Sequence, residues 1–496
     1  MMFSTKGWPH TPTGGSAAVL LLVVGCAIGP STTVNLPPPG SPRGATAVTT
    51  DSVRPFLDSL TAARAAEPAG PGPSRQPIRL DPQGDLAWLE VLRDTQLVAL
   101  VRMAAANNRD VQAAIARVRE YRAQAGAARL ALFPALSANL AASKNQVIFG
   151  TFDPQNFDAV QLTADLNWEL DFWGRVRRLS QAARFDYLGR DEDRRAAVLS
   201  LVSDVATAYL ELRELDASVT IAEQTLASRR TTLELARQRF AQGVISELDV
   251  RLFESELAVP AVLLADLARL RGAKENQLRH LLGQEPGPVP RGLTLDAAVQ
   301  AVAVPDSLPA ELVLRRPDVV RAQRDWQAAA ARVGVALGDR LPRFSLTGQY
   351  GTQRPDFTGL FESSAEIYTL RAGISIPLFP DGIPGHRHEA AQARAEQARA
   401  GYEQTVLGAL READDALAGL RFRRDQLAAQ ETQVLALRRA LALAQQRYES
   451  GVSSYLEVLD AQRALLGAEL GLVGGRRAYL GATVALYRAL GGSWRD

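Results

Sequence analysis

From Val160 to Leu170 every second residue is apolar (Val160, Leu162, Ala164, Leu166, Trp168, Leu170), and Gln161, Thr163, Asp165, Asn167 and Glu169 fall between them. Tyr368 to Ile376 repeats this alternation, with Tyr368, Leu370, Ala372, Ile374 and Ile376 set against Thr369, Arg371, Gly373 and Ser375. A period of two predicts strands with one apolar and one polar face. Elsewhere the period is that of coiled helices. Val198, Leu201, Val205, Ala208, Leu212, Leu215 and Val219 step by three and four, and Ala222 and Leu226 continue the series, as a heptad seam requires. Leu456, Leu459, Leu466, Leu470 and Val473 carry a second seam, which Arg463 breaks.

The chain is written twice. Residues 235–250, LARQRFAQGVISELDV, match residues 443–458, LAQQRYESGVSSYLEV, at nine of 16 positions without a gap, where composition alone would give about one or two. The offset, 443 − 235 = 208, also places Asp110-Val111 on Asp318-Val319, Pro134 on Pro342 and Leu282-Gly283 on Leu490-Gly491. Each half therefore predicts the same order of elements. In the first, a helix over Thr95–Leu132 ends at Pro134, strands follow at about 135–147 and 158–170, a long helix covers about 177–241, and a shorter one covers 246–282. The second half repeats this at 318–341, 343–354, 366–377, 385–449 and 453–490. Gln242-Gly243 and its duplicate mark where each long helix must stop. At 1.5 Å per residue the long helix spans roughly 97 Å and the shorter ones roughly 55 Å each, so two short helices stacked end to end match one long one.

Helical periodicity alone suits an ordinary antiparallel bundle equally well, and half-buried soluble strands also alternate. Strands of about ten residues with one apolar face are nevertheless what a membrane barrel around water requires. Four strands leave open edges, and an open edge cannot face lipid. A membrane reading thus demands sister copies that close the sheet.

Composition narrows the picture. The 496 residues are 47% hydrophobic but only 6% aromatic, and the net charge is +2. No charge field of that size calls for nucleic acid as a partner. Cysteine occurs once, at Cys26, which excludes a disulfide framework and a thiolate metal site. It follows an apolar run, Ala17 to Val24, too short to span a bilayer. Residues 1–25 are therefore expected to be a signal peptide, with Val23-Val24-Gly25-Cys26 as a lipobox and Cys26 as the lipidated residue. Ala27 stands next, where retention in the inner membrane would need Asp, so the outer membrane is the expected destination. Residues 26–85, rich in Pro, Gly, Ser and Thr, are expected to form a tether. Repeat 1 is assigned to 86–283, a Pro-rich linker to 284–315 and repeat 2 to 316–492.

Several segments carry a specific likeness: Asn107-Asn108-x-Asp110-Val111, Trp168-x-Leu170-Asp171-Phe172-Trp173-Gly174-Arg175, Arg315-Arg316-Pro317-Asp318-Val319 and Ile376-Pro377-Leu378-Phe379. With Cys26-Ala27-Ile28-Gly29-Pro30 and the paired Arg-[Phe/Tyr]-x-x-Gly-x-x-Ser tips, the chain resembles the outer membrane efflux (TolC-like) family, in its lipoprotein branch. That resemblance implies a mainly α fold with a small membrane β-barrel part: a homotrimer with a 12-stranded barrel and an α-helical periplasmic tunnel. It implies a periplasmic adaptor and a proton-driven inner-membrane pump as partners, passive conduction of drugs or other small toxic compounds, and no enzyme activity. It also implies that Arg239, Gly243, Ser246 and Leu248, with Arg447, Gly451, Ser454 and Leu456, dock the adaptor. Glu457 and Asp460, three apart on one helix face, match the acidic pair of the family's aperture. Tyr448 and Asp249 match its hydrogen-bonded latch, and Ser453 departs from relatives that carry Arg there.

Other chemistry finds little support. His386 and His388 lack further ligands, three Met and four His give little support for soft-metal transport, and no phosphate loop, catalytic triad or HExxH occurs. No cofactor is expected beyond the lipid on Cys26. Pro260 should kink the return helix. Two rivals remain at this level, the duct of a type I protein secretion system and a lipid-anchored coiled-coil adaptor.

Overall fold

The computed structural model describes residues 93–147, 155–301 and 311–492. Cys26, the signal segment and the tether lie outside them. The chain divides into two compact units.

The first unit comprises the described parts of 131–179 and 334–388. Its strands are β1 (Ala135–Val147), β2 (Gln155–Leu170), β3 (Arg343–Arg354) and β4 (Glu366–Ser375). They form one antiparallel sheet in the order β1-β2-β3-β4. β2 of the first half pairs directly with β3 of the second, Leu166 facing Gly348 and Leu170 facing Phe344. The register gathers the alternation of each strand onto common faces: Leu140 opposes Leu162, and Phe344 opposes Ile374. On the polar face Asp165 accepts from Gln349 Nε2 at 3.1 Å and from Asn139 Nδ2, joining three strands. The apolar face is left open, with Leu136 76% and Leu370 72% exposed. β4 ends at Ser375, two residues before the expected limit, since Pro377 has no N–H for a ladder.

The Trp168–Arg175 motif makes the turn from β2 into the next helix. Asp171 accepts from the N–H groups of Val176 (3.0 Å) and Arg177 (2.8 Å), satisfying donors that the first helical turn leaves free. Gly174 takes φ +78°, Trp173 Nε1 donates to Pro342 O at 2.7 Å, and Arg175 grips Glu169 with two bonds of 2.8 and 2.6 Å.

The second unit, the described parts of 30–130, 180–333 and 389–496, is helical. In chain order the helices are α1 (Thr95–Asn107), α2 (Arg109–Leu130), α3 (Arg175–Ala241), α4 (Glu247–Leu281), α5 (Leu295–Ala301), α6 (Glu311–Leu314), α7 (Pro317–Gly338), α8 (Ile383–Glu449) and α9 (Tyr455–Ala489). The first residues of α3 and α8 belong with the sheet. α3 and α8 each have 67 residues, and α4 and α9 each have 35. The long pair therefore extends about 100 Å. No described helix is long and apolar enough to cross a membrane.

The expected helix over Thr95–Leu132 is in fact two. Asn108 is extended (ψ 132°), and its side chain accepts from the N–H groups of Asp110 and Val111 at 2.9 and 3.2 Å, starting α2 afresh. Its amide also donates to Leu281 O at 3.1 Å. At the duplicate position Arg316 Nη1 donates to Ala489 O at 2.9 Å, 208 residues on in both donor and acceptor, while its other nitrogens hold Asp318 and Glu412. Pro260 lies inside α4, as expected, and the helix continues through it.

The main core packs Leu97, Leu100 and Val101 of α1 on Val202, Val205 and Leu212 of α3, with Leu278 and Leu480 from the return helices. Within it the Tyr209 hydroxyl donates to Asp94 at 2.9 Å and accepts from Gly292 N–H at 2.7 Å, and Asp94 also accepts from Leu293 N–H. The inter-repeat segment is thereby pinned to α1 and α3.

Candidate functional site at the helical hairpin tips

Both long helices end alike. Gly243 and Gly451 sit at φ +72° and +71°, a region that favours glycine. Val244 N–H donates to Arg239 O, and Val452 N–H to Arg447 O, both at 2.9 Å, the closing bonds of Schellman caps. Beyond the glycines the tips expose Val244, Leu248, Val452 and Leu456.

The return helices then start differently, although Ser-x-x-acid occurs in both. Ser246 and Asp249 form a capping box: Asp249 N–H donates to Ser246 Oγ at 3.2 Å, and Ser246 N–H donates to Asp249 Oδ2 at 3.0 Å. Ser454 makes no side-chain cap. Glu457, at the duplicate position of Asp249 (457 − 249 = 208), instead faces Arg447 at 3.4 Å.

The expected latch pair is not brought together. The side chain of Asp249 turns to Ser246, whereas the Tyr448 ring lies 5.2 Å from the Arg239 guanidinium and 5.3 Å edge-on from Tyr455. Tyr455 continues inward against Phe253 at 4.0 Å, beside the Leu233–Ala236–Val250 cluster. Burial pushes its phenol up to about 12. Ser453 Oγ is buried and has no hydrogen-bond partner among the described residues.

Behind the acidic pair lies a group that the sequence reading missed. Arg229 of α3 and Glu256 of α4 are 3% and 6% exposed. Arg229 Nη1 stands 2.8 Å from Glu256 Oε2 and donates to Glu256 O at 2.5 Å. Arg463 of α9 holds the other carboxylate oxygen through Nε (3.0 Å) and Nη2, and its Nη1 lies 3.8 Å from Asp460. Burial lowers the Arg229 pKa, opposed by the Glu256 charge. The signal was present, since Leu226, Arg229 and Leu233 step by three and four, as do Leu459, Arg463 and Leu466. Arg229 and Arg463 each stand where the step calls for an apolar residue, Arg463 with its side chain 53% exposed, and two positive charges flank one negative. Among the described residues no group of three or more metal-binding side chains occurs.

The model of the outer membrane efflux protein family matches residues 100–284 and 308–492. The chain belongs to this family. The two matched stretches are displaced by 308 − 100 = 208 residues, the offset of the internal duplication. Among its relatives, the solvent efflux pump outer membrane protein SrpC of Pseudomonas putida is 34% identical over 82% of this chain and 87% of its own length. The cation efflux system protein CusC of Escherichia coli is 31% identical over 82% and 88%. The solved outer-membrane channel OprN superposes with a TM-score of 0.76 at 30% identity, covering 86% of this chain and 99% of its own.

Proposed function

We propose that this protein is the outer-membrane channel of a tripartite efflux system, conducting small toxic compounds that an inner-membrane pump and a periplasmic adaptor deliver. The carrying observation is the four-stranded sheet, whose apolar face is open and whose edge strands β1 and β4 each pair on one side only. Lipid suits that face, and an edge in lipid must be paired. Three copies, each adding β1 to the next copy's β4, would close a 12-stranded barrel and set the helices around water.

Membership of the family supports the outer-membrane location. Relatives named for solvent and cation efflux favour small cargo over a secreted polypeptide. The exposed apolar tips around Gly243 and Gly451 suit adaptor docking, with Val244 and Leu248 on one tip and Val452 and Leu456 on the other open to it. Glu457 and Asp460 would line the aperture, six carboxylates in a trimer, and favour cations. Cys26 is the proposed lipid anchor. Purified protein should behave as three copies in detergent and form cation-selective pores in planar bilayers. Glu457→Gln/Asp460→Asn should reduce that selectivity. A protein that stays monomeric and does not conduct would refute the reading.

A further inference from the structure

We infer that a cavity on α3, between α4 and α9, is a resting site for organic cations, with Glu211 and Glu214 receiving the charge and Leu215, Leu270 and Ala273 the apolar body. The inference rests on the reading of the helices as a water-filled duct, and it names the class of compound held on the way through.

The cavity measures about 360 Å³, within the size range of small-molecule sites. Glu211 and Glu214 lie three apart and share one face of α3. Lys274 of α4 reaches Glu211 from one side at 2.6 Å, and Arg477 of α9 reaches Glu214 from the other at 2.9 Å. Among the described residues the second oxygen of each carboxylate has no hydrogen-bond donor. Leu215, Leu270 and Ala273 supply the apolar part of the lining. Both ion pairs are open to solvent, the side chains of Lys274 and Arg477 being 23% and 36% exposed. Such pairs contribute little, and long stems let both cations withdraw into water. An organic cation would take their place between the two carboxylates and lay its hydrocarbon on the leucines. An anion would meet both acids on the helix that floors the cavity.

The site faces the duct. Tyr209, Arg213 and Asp216 carry the inter-repeat segment, through Gly292 N–H, Leu293 O and Arg291. At about 100° per residue, Glu211 and Glu214 lie roughly 170° round α3 from that face. A segment laid along the inside would fill the duct, so the face it covers is the outer one and the carboxylates turn to the water. Glu457 and Asp460 at the aperture favour cations, so the compounds that pass them match the charge of this site. The second repeat has no counterpart. Positions 208 residues on hold Gly419 for Glu211, Phe422 for Glu214 and Ala482 for Lys274. The acidic lining therefore occurs once per chain and is not something the repeat itself requires.

The test is equilibrium binding of ethidium, a planar aromatic cation, to the purified full-length protein in detergent, followed by fluorescence anisotropy against detergent alone. Wild type should bind it saturably. Glu211→Gln/Glu214→Gln should weaken binding about tenfold, and Leu270→Ser about fivefold. Arg477→Gln, which frees Glu214 from a competing cation, should tighten it about threefold. Binding of the anion 8-anilinonaphthalene-1-sulfonate should not respond to the glutamate substitutions. Absence of saturable ethidium binding to wild type would overturn the site, and so would wild-type affinity in Glu211→Gln/Glu214→Gln. Weaker binding in Arg477→Gln would also overturn it, since that is how an ion pair needed only for packing behaves. Planar-bilayer recording of the same protein separates the two readings. If wild type forms cation-selective pores but the binding predictions fail, the channel stands and the site falls. If wild type binds ethidium but does not conduct, the channel reading fails and takes the transport role of the site with it.

Discussion

Asp249 and Glu457 occupy the same place in the two repeats, yet the structure gives them different work. Replacing each with alanine separates the two roles. Asp249→Ala removes the bond from Ser246 N–H and the one from the Ser246 hydroxyl, at 3.0 and 2.8 Å, and takes a negative charge from the first turn of α4. The Ser246 Oγ cap on the N–H of residue 249 survives, while loss of the reciprocal bonds to the carboxylate costs about 1 kcal/mol and the first-turn charge about 0.3–1 kcal/mol. The two are partly the same bond, so local opening of the tip should become easier by about 1–1.5 kcal/mol. Amide hydrogen exchange around residues 243–253 should then accelerate roughly five- to tenfold. Glu457→Ala removes only an exposed pair with Arg447, worth under about 1 kcal/mol, and exchange around 451–461 should barely change. The assay is exchange followed by mass spectrometry on the intact protein, in which each tip serves as the other's control. Equal acceleration at both tips would refute the assignment, and so would a channel that opens on Asp249→Ala without faster exchange, since that is the behaviour of a latch.

Four further outcomes follow from particular contacts. Gly283→Ala should lower the melting temperature, because φ is +67° and the added methyl would lie 2.7 Å from Asn107 O, a strain of about 1–2 kcal/mol or more. Gly272→Ala, inside α4 with open space around it, should stabilise by about 0.5–1 kcal/mol. Tyr209→Phe should destabilise by about 1–3 kcal/mol in thermal unfolding, since Gly292 N–H and Asp94 each lose a buried partner. Leu370→Arg should impair outer-membrane assembly, measured as the yield of heat-modifiable protein, at a cost of about 2–4 kcal/mol mid-bilayer. The adjacent Thr369→Arg, on the opposite face, should be tolerated.

The strands were legible because alternation is a local signal and a one-residue slip would turn every side chain over. β1 and β3 span the expected residues, Ala135–Val147 and Arg343–Arg354. The reversals at Gly243 and Gly451 were legible for the same reason, since a single residue type marks them. The break at Asn108 was missed because apolar periodicity runs straight across it. Only the cap chemistry of Asn108 before Asp110 and Val111 signals a new helix start. At the tips the sequence supplied the residue types but not their pairing. Ser-x-x-acid stands at both, and at the second tip the acid turns to Arg447 of its own hairpin instead of capping. Arg463 was visible only as a fault in a seam, because its partner Glu256 lies 207 residues earlier and no local pattern links them.

The central claim is that the two faces of the sheet meet different solvents. Spin labels placed singly along β4, from Ile367 to Ile374, in liposome-reconstituted protein would report it through relaxation by oxygen, which partitions into lipid, and by a water-soluble nickel complex. Labels at Tyr368, Leu370, Ala372 and Ile374 should respond to oxygen and those at Ile367, Thr369, Arg371 and Gly373 to nickel, in strict alternation. Nickel access at every position would mean that the apolar face does not sit in lipid, and the channel account would fail with it.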